Sequence, residues 1–341
     1  MPLARSKLWK PAPDACLTMP HRRTAILMLL ATTAAWGLSF PGGKALMAAW
    51  ETALPGRASW FFSALMIGGR FGLGALLLLA VHPRALVKTR PSEWRQGLGL
   101  GLAAGLGMLF QSDGLTYAEA STSAFLTQFT AVLVPLVVAL RTRRAPTPWV
   151  LFCVGLVVAG VAVLSRLDWH RLHLGRGELE TLISTLFFTF QILWLEQSAF
   201  AGNHTGRVTL VMFATIAALL LPIALCHTAR AADLAVVFAN PAYALVFLGL
   251  TLCCSVFAFL MMNRWQREVE ATTAGIIYCA EPVFATLFAL FLPGWLAPRL
   301  GIAYTNEIWT PHLLLGGTLI TVANILICIR SGPAPAKLSE H

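Results

Sequence analysis

The chain alternates between long apolar segments and short polar stretches along most of its length. Ten segments approach the length and apolarity of a membrane-spanning helix, which needs about 20 residues. They cover residues 24–45, 61–81, 98–116, 121–140, 149–164, 179–200, 209–227, 243–262, 271–292 and 312–329. The pattern predicts an all-α integral membrane protein with ten transmembrane helices.

Composition agrees with a membrane location. Hydrophobic residues make up 57% of the chain and charged residues 12%, whereas soluble domains average about 25% charged residues. The formal net charge is +10. The basic residues lie in short loops and form no aqueous basic face, which excludes a nucleic-acid partner. The predicted surroundings are therefore a lipid bilayer.

The loops predict an orientation. If the segments alternate in direction, most loop Lys and Arg residues fall on the side of the N-terminus, and such residues collect on the cytoplasmic side. We therefore expect a multi-pass protein of the cell (inner) membrane with both terminal tails, residues 1–23 and 331–341, in the cytoplasm. The loop at residues 166–176 is an exception, because it places three arginines on the other side.

A short internal repeat divides the chain. Residues 118–124 (AEASTSA) resemble residues 269–275 (VEATTAG), and each copy opens a predicted span. The repeat predicts two five-helix units, residues 24–165 and 177–330, joined by the loop at 166–176. An odd number of spans inverts the second unit. Inverted repeats are frequent in secondary transporters, whose substrate site lies near the membrane midplane between the repeats.

One carboxylate lies inside the ninth segment. Glu281 is near its middle and is followed by Pro282. A carboxylate at membrane depth costs at least ~2.5 kcal/mol unless it is paired, protonated or hydrated, and a proline frees a backbone carbonyl and predicts a kink. Glu281 is either a proton or substrate site or a structural carboxyl that bonds a neighbouring helix.

Two further charges fall inside predicted spans. Arg70 lies among glycines in the second segment and Asp113 lies in the third. We predict that they form an ion pair, and contact between Arg70 and an anionic substrate is compatible with that pair. Lys44 lies near the end of the first segment, where we expect its ammonium group to extend to the interface.

Uncharged polar and aromatic side chains also lie at membrane depth. Trp36 and Tyr278 either line a substrate cavity or pack between helices. Gln128, Gln191 and Asn324 either orient a substrate or join helices by hydrogen bonds worth ~0.6 kcal/mol each. Eight residues inside the predicted spans are therefore candidates for a substrate or ion pathway: Glu281, Arg70, Asp113, Trp36, Tyr278, Gln128, Gln191 and Asn324.

Glycines recur at a helical spacing in the third segment. Gly97, Gly101 and Gly105 are four residues apart and form one small-residue face. Such a face predicts close contact with another helix.

The sequence predicts no catalytic residue, metal or cofactor. Six of the seven cysteines lie in apolar segments without the spacing of metal ligands. His170, His173 and Asp168 share one loop, but a structural zinc site needs four ligands. No nucleophile–base motif is present. Active transport by this chain would therefore depend on an ion or solute gradient.

Several short motifs resemble one known family. They include residues 278–285 (YCAEPVFA), 36–40 (WGLSF), 123–127 (SAFLT), 175–178 (GRGE), 306–310 (NEIWT) and 315–320 (LGGTLI), with Arg70 in the second segment. Together and in this order, they resemble the EamA-type permeases of the drug/metabolite transporter superfamily. The chain departs from the family pattern at residues 292–305, which are inserted, and at Asn306, which replaces a glycine. This departure predicts an altered outer loop.

The resemblance implies ten helices in two EamA repeats and the transport of small metabolites. Family members carry amino acids, sugars, nucleotide sugars and other solutes, and the resemblance does not choose among them. The expected partners are a small-molecule substrate and protons as a candidate coupling ion, with the oligomeric state open. An integral membrane lipid-modifying enzyme and a non-transporting membrane scaffold are the alternatives from other functional classes.

Overall fold

The computed structural model describes residues 19–142, 147–164, 175–195, 197–228, 230–269 and 277–330. These residues form helices and turns and no β-strand. The α-helices are α1 (Met19–Ala53), α2 (Ser59–Val81), α3 (Pro91–Tyr117), α4 (Ala120–Thr127), α5 (Thr130–Thr142), α6 (Pro148–Leu164), α7 (Arg176–Leu195), α8 (Thr205–Cys226), α9 (Pro241–Trp265), α10 (Glu281–Ala289), α11 (Leu292–Leu300) and α12 (Pro311–Arg330). The middle of α9, Leu250–Phe257, is π-helical.

Five of the described helices are long and apolar enough to cross a membrane, namely α1, α2, α7, α8 and α9. Helices α10 and α11 count as a sixth span if the two are taken together, although they meet at an angle of 54°. The fold is therefore an all-α, multi-pass membrane protein, as the sequence predicts. The number of ten spans and the repeat stay predictions.

Two predicted spans are interrupted in the structure. The segment at 121–140 divides into α4 and α5, because the chain leaves the α-helix at Gln128 and Phe129. The insertion at 292–305 is not a simple loop, since it contains α11. Gly301 ends α11 in the left-handed conformation, with a φ of +68° that favours glycine.

Helices from the two predicted units pack against each other. Helices α2 and α3 lie on α8, α3 also lies on α7, α1 lies on α10, and α6 lies on α12. The largest buried side chains include Trp50, Phe61, Phe71 and Phe213, and Phe71 contacts Phe213 between α2 and α8. The core is therefore shared between the units.

Glycines allow the closest of these contacts. A Cβ atom on Gly97 would lie 2.6 Å from Val211 Cβ, and one on Gly101 would lie 2.5 Å from Thr215 Cβ. Gly105 faces Ile216 and Leu219 of the same helix. The predicted small-residue face of α3 is therefore confirmed, and its partner is α8.

Some predictions concern parts of the chain outside the described residues. These parts are the tails at 1–18 and 331–341, most of the loop at 166–176 with Asp168, His170 and His173, and nearly all of the second repeat copy at 269–275.

Candidate functional site

Two helix breaks meet inside the bundle. One is at Gln128, between α4 and α5, where φ is −68° and ψ is −6°. The other is at Ala280, before α10, where φ is −79° and ψ is −11°. Across the two breaks, Gln128 Nε2 donates a hydrogen bond to Glu281 Oε2 at 3.1 Å. An amide from one predicted unit thus bonds a carboxyl group from the other.

Glu281 is the first residue of α10, not the midpoint of an unbroken span. The interruption predicted from Pro282 falls just before it, at Ala280, and Pro282 lies in the first turn of α10. A proline is tolerated there, since the first N–H groups of a helix have no intrahelical acceptor. The bend in this segment falls later, between α10 and α11.

Aromatic side chains from α1, α9 and the segment before α10 contact one another. The Trp36 ring centroid is 5.7 Å from that of Tyr278 and 5.5 Å from that of Phe259. The Tyr278 hydroxyl donates to Gln266 Oε1 at 3.0 Å, and Tyr278 precedes Glu281 by three residues. The structure therefore brings Trp36 to Tyr278 and Gln128 to Glu281, and Tyr278 and Glu281 are three positions apart in the chain.

Arg70 is buried on α2, with 4% of its surface exposed. Its Nε donates to Ser255 Oγ at 3.1 Å, and its two terminal nitrogens donate to Ser39 Oγ at 2.9 Å and to the Leu250 carbonyl at 3.4 Å. These contacts join α2 to α1 and to the π-helical part of α9. Within the described part of the chain, no carboxylate pairs with Arg70.

The predicted Arg70–Asp113 pair is wrong for a geometric reason. The Tyr117 hydroxyl contacts Ser59 Oγ at 3.0 Å, so the end of α3 and the start of α2 lie side by side. Arg70 is about 16 Å along α2 from Ser59, whereas Asp113 is only about 6 Å along α3 from Tyr117, at 1.5 Å per residue. The two charges are therefore at different depths.

Asp113 pairs instead with Arg176 at the start of α7, at 2.6 Å. The Arg176 guanidinium also contacts Glu180 at 2.8 Å and lies 4.3 Å from the centre of the Tyr117 ring. Ser63 donates to the other Asp113 oxygen at 3.3 Å. We call Asp113, Tyr117, Arg176 and Glu180 the Arg176 cluster. It joins α3 to α7 at one end of the bundle.

Gln191 and Asn324 lie away from this arrangement. Gln191 is buried on α7 and Asn324 is buried on α12. Among the described residues, neither side-chain polar atom of Asn324 has a hydrogen-bond partner. The structure gives no contact between either residue and the Gln128–Glu281 pair.

Sequence reasoning missed the roles of Lys44 and Glu307. Lys44 does not extend to the interface from the end of α1, because α1 continues to Ala53; its ammonium group donates to the Ala118 carbonyl, which follows α3. Glu307 accepts hydrogen bonds from the Ala120 N–H at 2.7 Å and from the Ser121 hydroxyl, so it caps α4. The resemblance of residues 306–310 to a family motif was the only signal for Glu307.

The described residues hold no group of three or more His, Cys, Asp or Glu side chains that could bind a metal ion. The two interior arrangements offer a carboxyl group at Glu281 and a guanidinium group with hydroxyl and aromatic neighbours around Arg70. These groups suit reversible binding and proton exchange.

Comparison with known proteins supports the resemblance seen in the sequence. Residues 23–166 match the family model described as "EamA-like transporter family". A protein of Archaeoglobus fulgidus described as an uncharacterized transporter is 26% identical over 239 residues, which are 70% of this chain and 70% of that protein. One solved crystal structure superposes with a TM-score of 0.51 over 90% of this chain and 97% of that chain. At 18% identity, this likeness shows the fold alone.

The apolar helices, the matched model and the related transporter agree with one another. Residues 23–166 match an EamA-like transporter domain, and the chain is a multi-pass membrane transporter.

Proposed function

We propose that this transporter is gradient-driven and moves a small metabolite, such as an amino acid or a related solute, across the inner membrane. The observation that carries the proposal is the contact between Gln128 and Glu281 at 3.1 Å. It joins two interrupted helices from different parts of the chain, inside the bundle. Interrupted helices that meet between repeats form the substrate and ion sites of many secondary transporters.

The positions of the two breaks support a repeat. Gln128 is ten residues after Ala118, where the first copy of the motif begins. Cys279 is ten residues after Val269, where the second copy begins, and it adjoins the break at Ala280. The same interruption at the same distance from a repeated motif is expected if the two units share one architecture.

Contacts at the ends of the bundle support an inverted repeat. Helix α1 runs toward the end that carries Arg57 and Ser59, since it stops at Ala53. Helix α7 starts at that end, because Arg176 at its first position contacts Ser59 Oγ at 3.4 Å. The first helices of the two proposed units therefore run in opposite directions. The opposite end carries Arg84, Lys88, Arg95 and Arg207, which supports a cytoplasmic position for it.

Glu281 is the proposed proton site. Its carboxyl group is partly buried, and Gln128 is the only hydrogen-bond partner found for it in the described residues. An intramembrane carboxyl that is held by a neutral amide can bind and release a proton without breaking an ion pair. Alternating exposure of such a group to the two sides would couple solute movement to a proton gradient.

Uptake into proteoliposomes tests the proposal. The purified full-length protein is reconstituted, and the uptake of a labelled amino-acid mixture is measured with and without an imposed pH gradient. We expect uptake that the pH gradient stimulates and that a protonophore abolishes. Uptake equal to that of vesicles with an unrelated membrane protein would contradict transport, and the same vesicles can be assayed for lipid modification.

A further inference from the structure

The Arg70 guanidinium is a buried positive charge with neutral neighbours. Two serine hydroxyls and one backbone carbonyl accept its hydrogen bonds. A guanidinium has five N–H groups, so these three acceptors leave two of its N–H groups available. A buried charge is destabilising unless an opposite charge or a dense set of hydrogen bonds compensates it. The three neutral acceptors supply no negative charge.

A second donor lies one helical turn away. The indole N–H of Trp36 is buried and has no acceptor in the described part of the chain. Trp36 precedes Ser39 by three residues on α1, so the two side chains share one face of the helix. The side chain that carries this unused N–H thus sits one turn from the serine that holds Arg70.

Helix α9 also presents a serine to Arg70 and an aromatic residue one turn away. Ser255 contacts Arg70, and Phe259, one turn further on, packs against Trp36 with ring centroids 5.5 Å apart. Ser255 and the Leu250 carbonyl both belong to the π-helical stretch. Single π-helical turns inside α-helices occur frequently at functional sites, because they release backbone groups from regular bonding.

We propose that Arg70 and Trp36 bind the carboxylate of an organic solute, with its apolar or aromatic body against Phe259 and Tyr278. The inference rests on the proposed function and names its substrate class. Arg70 supplies two N–H groups in a planar fork that matches a carboxylate, and Trp36 supplies a third donor. Among the described residues no second cation contacts these groups, and one guanidinium matches a single negative charge, which favours a carboxylate over a doubly charged phosphate.

The same assignment explains why Arg70 lacks an acidic partner from the chain. A resident Asp or Glu would compete with a solute carboxylate for the guanidinium. The serine hydroxyls of Ser39 and Ser255 instead hold the side chain in place and leave its charge uncompensated. A bound carboxylate would then supply the missing negative charge.

Paired acids and amides test the proposal. The purified full-length protein is titrated with acetate, butanoate, phenylacetate and 3-phenylpropanoate, and with the neutral primary amide of each acid. Binding is measured by calorimetry and by the shift in thermal unfolding temperature. We expect the aromatic acids to bind at least about tenfold more tightly than their amides, as a charge-assisted contact predicts.

Three variants test which residues cause the preference for acids over amides. Trp36→Phe keeps the ring packing and removes the N–H, and it should weaken acid binding about tenfold and amide binding by less, because a neutral carbonyl accepts a weaker hydrogen bond than a carboxylate. Arg70→Gln should abolish the preference for acids. Arg84→Gln, at an exposed loop position, is the matched control and should keep it. If Arg70→Gln does not fold, Trp36→Phe decides the question alone.

Two results would overturn the proposal. One is a wild-type protein that binds no acid of the set more tightly than its amide. The other is a preference for acids that survives in Trp36→Phe and in folded Arg70→Gln. Either result leaves the transport assay unaffected, since proteoliposome uptake tests solute movement and not carboxylate recognition. Failure of that assay with intact acid binding would reject transport alone.

Discussion

Three charged side chains inside the bundle have different kinds of partner. Glu281 is held by the Gln128 amide, Arg70 by hydroxyls and a carbonyl, and Asp113 by Arg176. Only the Asp113 contact is an ion pair. A charge that is already neutralised by a neighbour contributes mainly to stability, whereas a charge with neutral partners is available to a proton or a solute.

At Glu281, the substitution Glu281→Gln keeps the size and the hydrogen-bonding capacity of the side chain but removes its ability to ionise. If Glu281 couples transport to protons, the variant should insert normally and lose the pH dependence of uptake. Uptake between pH 5 and 8, at matched protein levels, is the measurement. Glu51→Gln, at an exposed position, is the control. An unchanged pH profile in Glu281→Gln would leave Glu281 as a contact between helices.

In the Arg176 cluster, removal of either partner leaves an uncompensated charge. The Asp113 side chain is fully buried, but the Arg176 side chain is 47% exposed, so solvent reduces the cost. We expect Arg176→Gln and Asp113→Asn each to lower the free energy of unfolding by about 1–3 kcal/mol. The double variant should lose clearly less than the sum, as measured by thermal or chemical unfolding in detergent.

Strictly additive losses would show that Asp113 and Arg176 do not interact. The exposed pair Arg264–Glu268 is the matched control. The coupling energy from its double-mutant cycle should be below about 0.5 kcal/mol, as for other exposed i, i+4 pairs.

The contacts of Asp233, which lies outside the membrane spans, predict that the stability of the fold depends on pH. A hydrogen bond from the Thr228 hydroxyl at 2.7 Å, with the Arg57 guanidinium beside it, holds the pKa of Asp233 below its usual value despite opposing desolvation. A carboxyl whose pKa is lower in the folded state stabilises the fold above the unfolded-state value of about 3.9. That contribution is lost as the pH falls through the folded-state pKa.

Thr228→Val should therefore be less stable than the wild type between pH 5 and 7. The difference should shrink as the pH falls below about 3.9, because both proteins then lose the ionised carboxylate. Unfolding temperatures measured across this pH range test the expectation. A stability difference that is independent of pH would assign the effect of Thr228 to packing.

At the level of elements, the close approach of α3 and α8 depends on glycine. Gly101→Ala would place a Cβ atom 2.5 Å from Thr215 Cβ and 2.8 Å from the Met212 carbonyl oxygen. We expect a loss of about 1–3 kcal/mol in the free energy of unfolding. Gly155→Ala on α6 is the control, since no atom lies within 4 Å of its Cβ position. It should be neutral or slightly stabilising, because alanine favours the helix. Equal effects of the two substitutions would contradict the packing argument.

Sequence patterns predicted the elements better than their interruptions. Apolar length located α2, α8 and α9 closely, because a membrane span needs a continuous apolar run. The break at Gln128 had no such signal, since residues on both sides are apolar or small. The position of Glu281 within its helix was predicted wrongly for the same reason. An apolar pattern indicates that a segment is buried, but it does not indicate where the helix starts. The Arg70 partners also required knowledge of which helices are neighbours.

At the level of the whole molecule, the two ends of the bundle differ in charge, and this predicts its orientation. Single cysteines introduced at Arg84 and at Arg57 should be labelled from opposite sides of the membrane. We expect Arg84→Cys to react only with a reagent that enters the cell, and Arg57→Cys to react with an impermeant one. Labelling of both positions from the same side would contradict the proposed orientation.

The shared core has a consequence for how such a chain could arise. Helices α1, α2, α3 and α6 bury their surfaces mainly against α7, α8, α9, α10 and α12. A shorter ancestor with only the first unit would therefore leave those surfaces open to lipid. It could close them only by pairing with a second molecule that offers the missing helices. Gene duplication and fusion would then have joined the two molecules into one chain, and the sequences of the two halves could then have diverged. In this chain, Arg70 would be the specialised residue of one half and Glu281 that of the other.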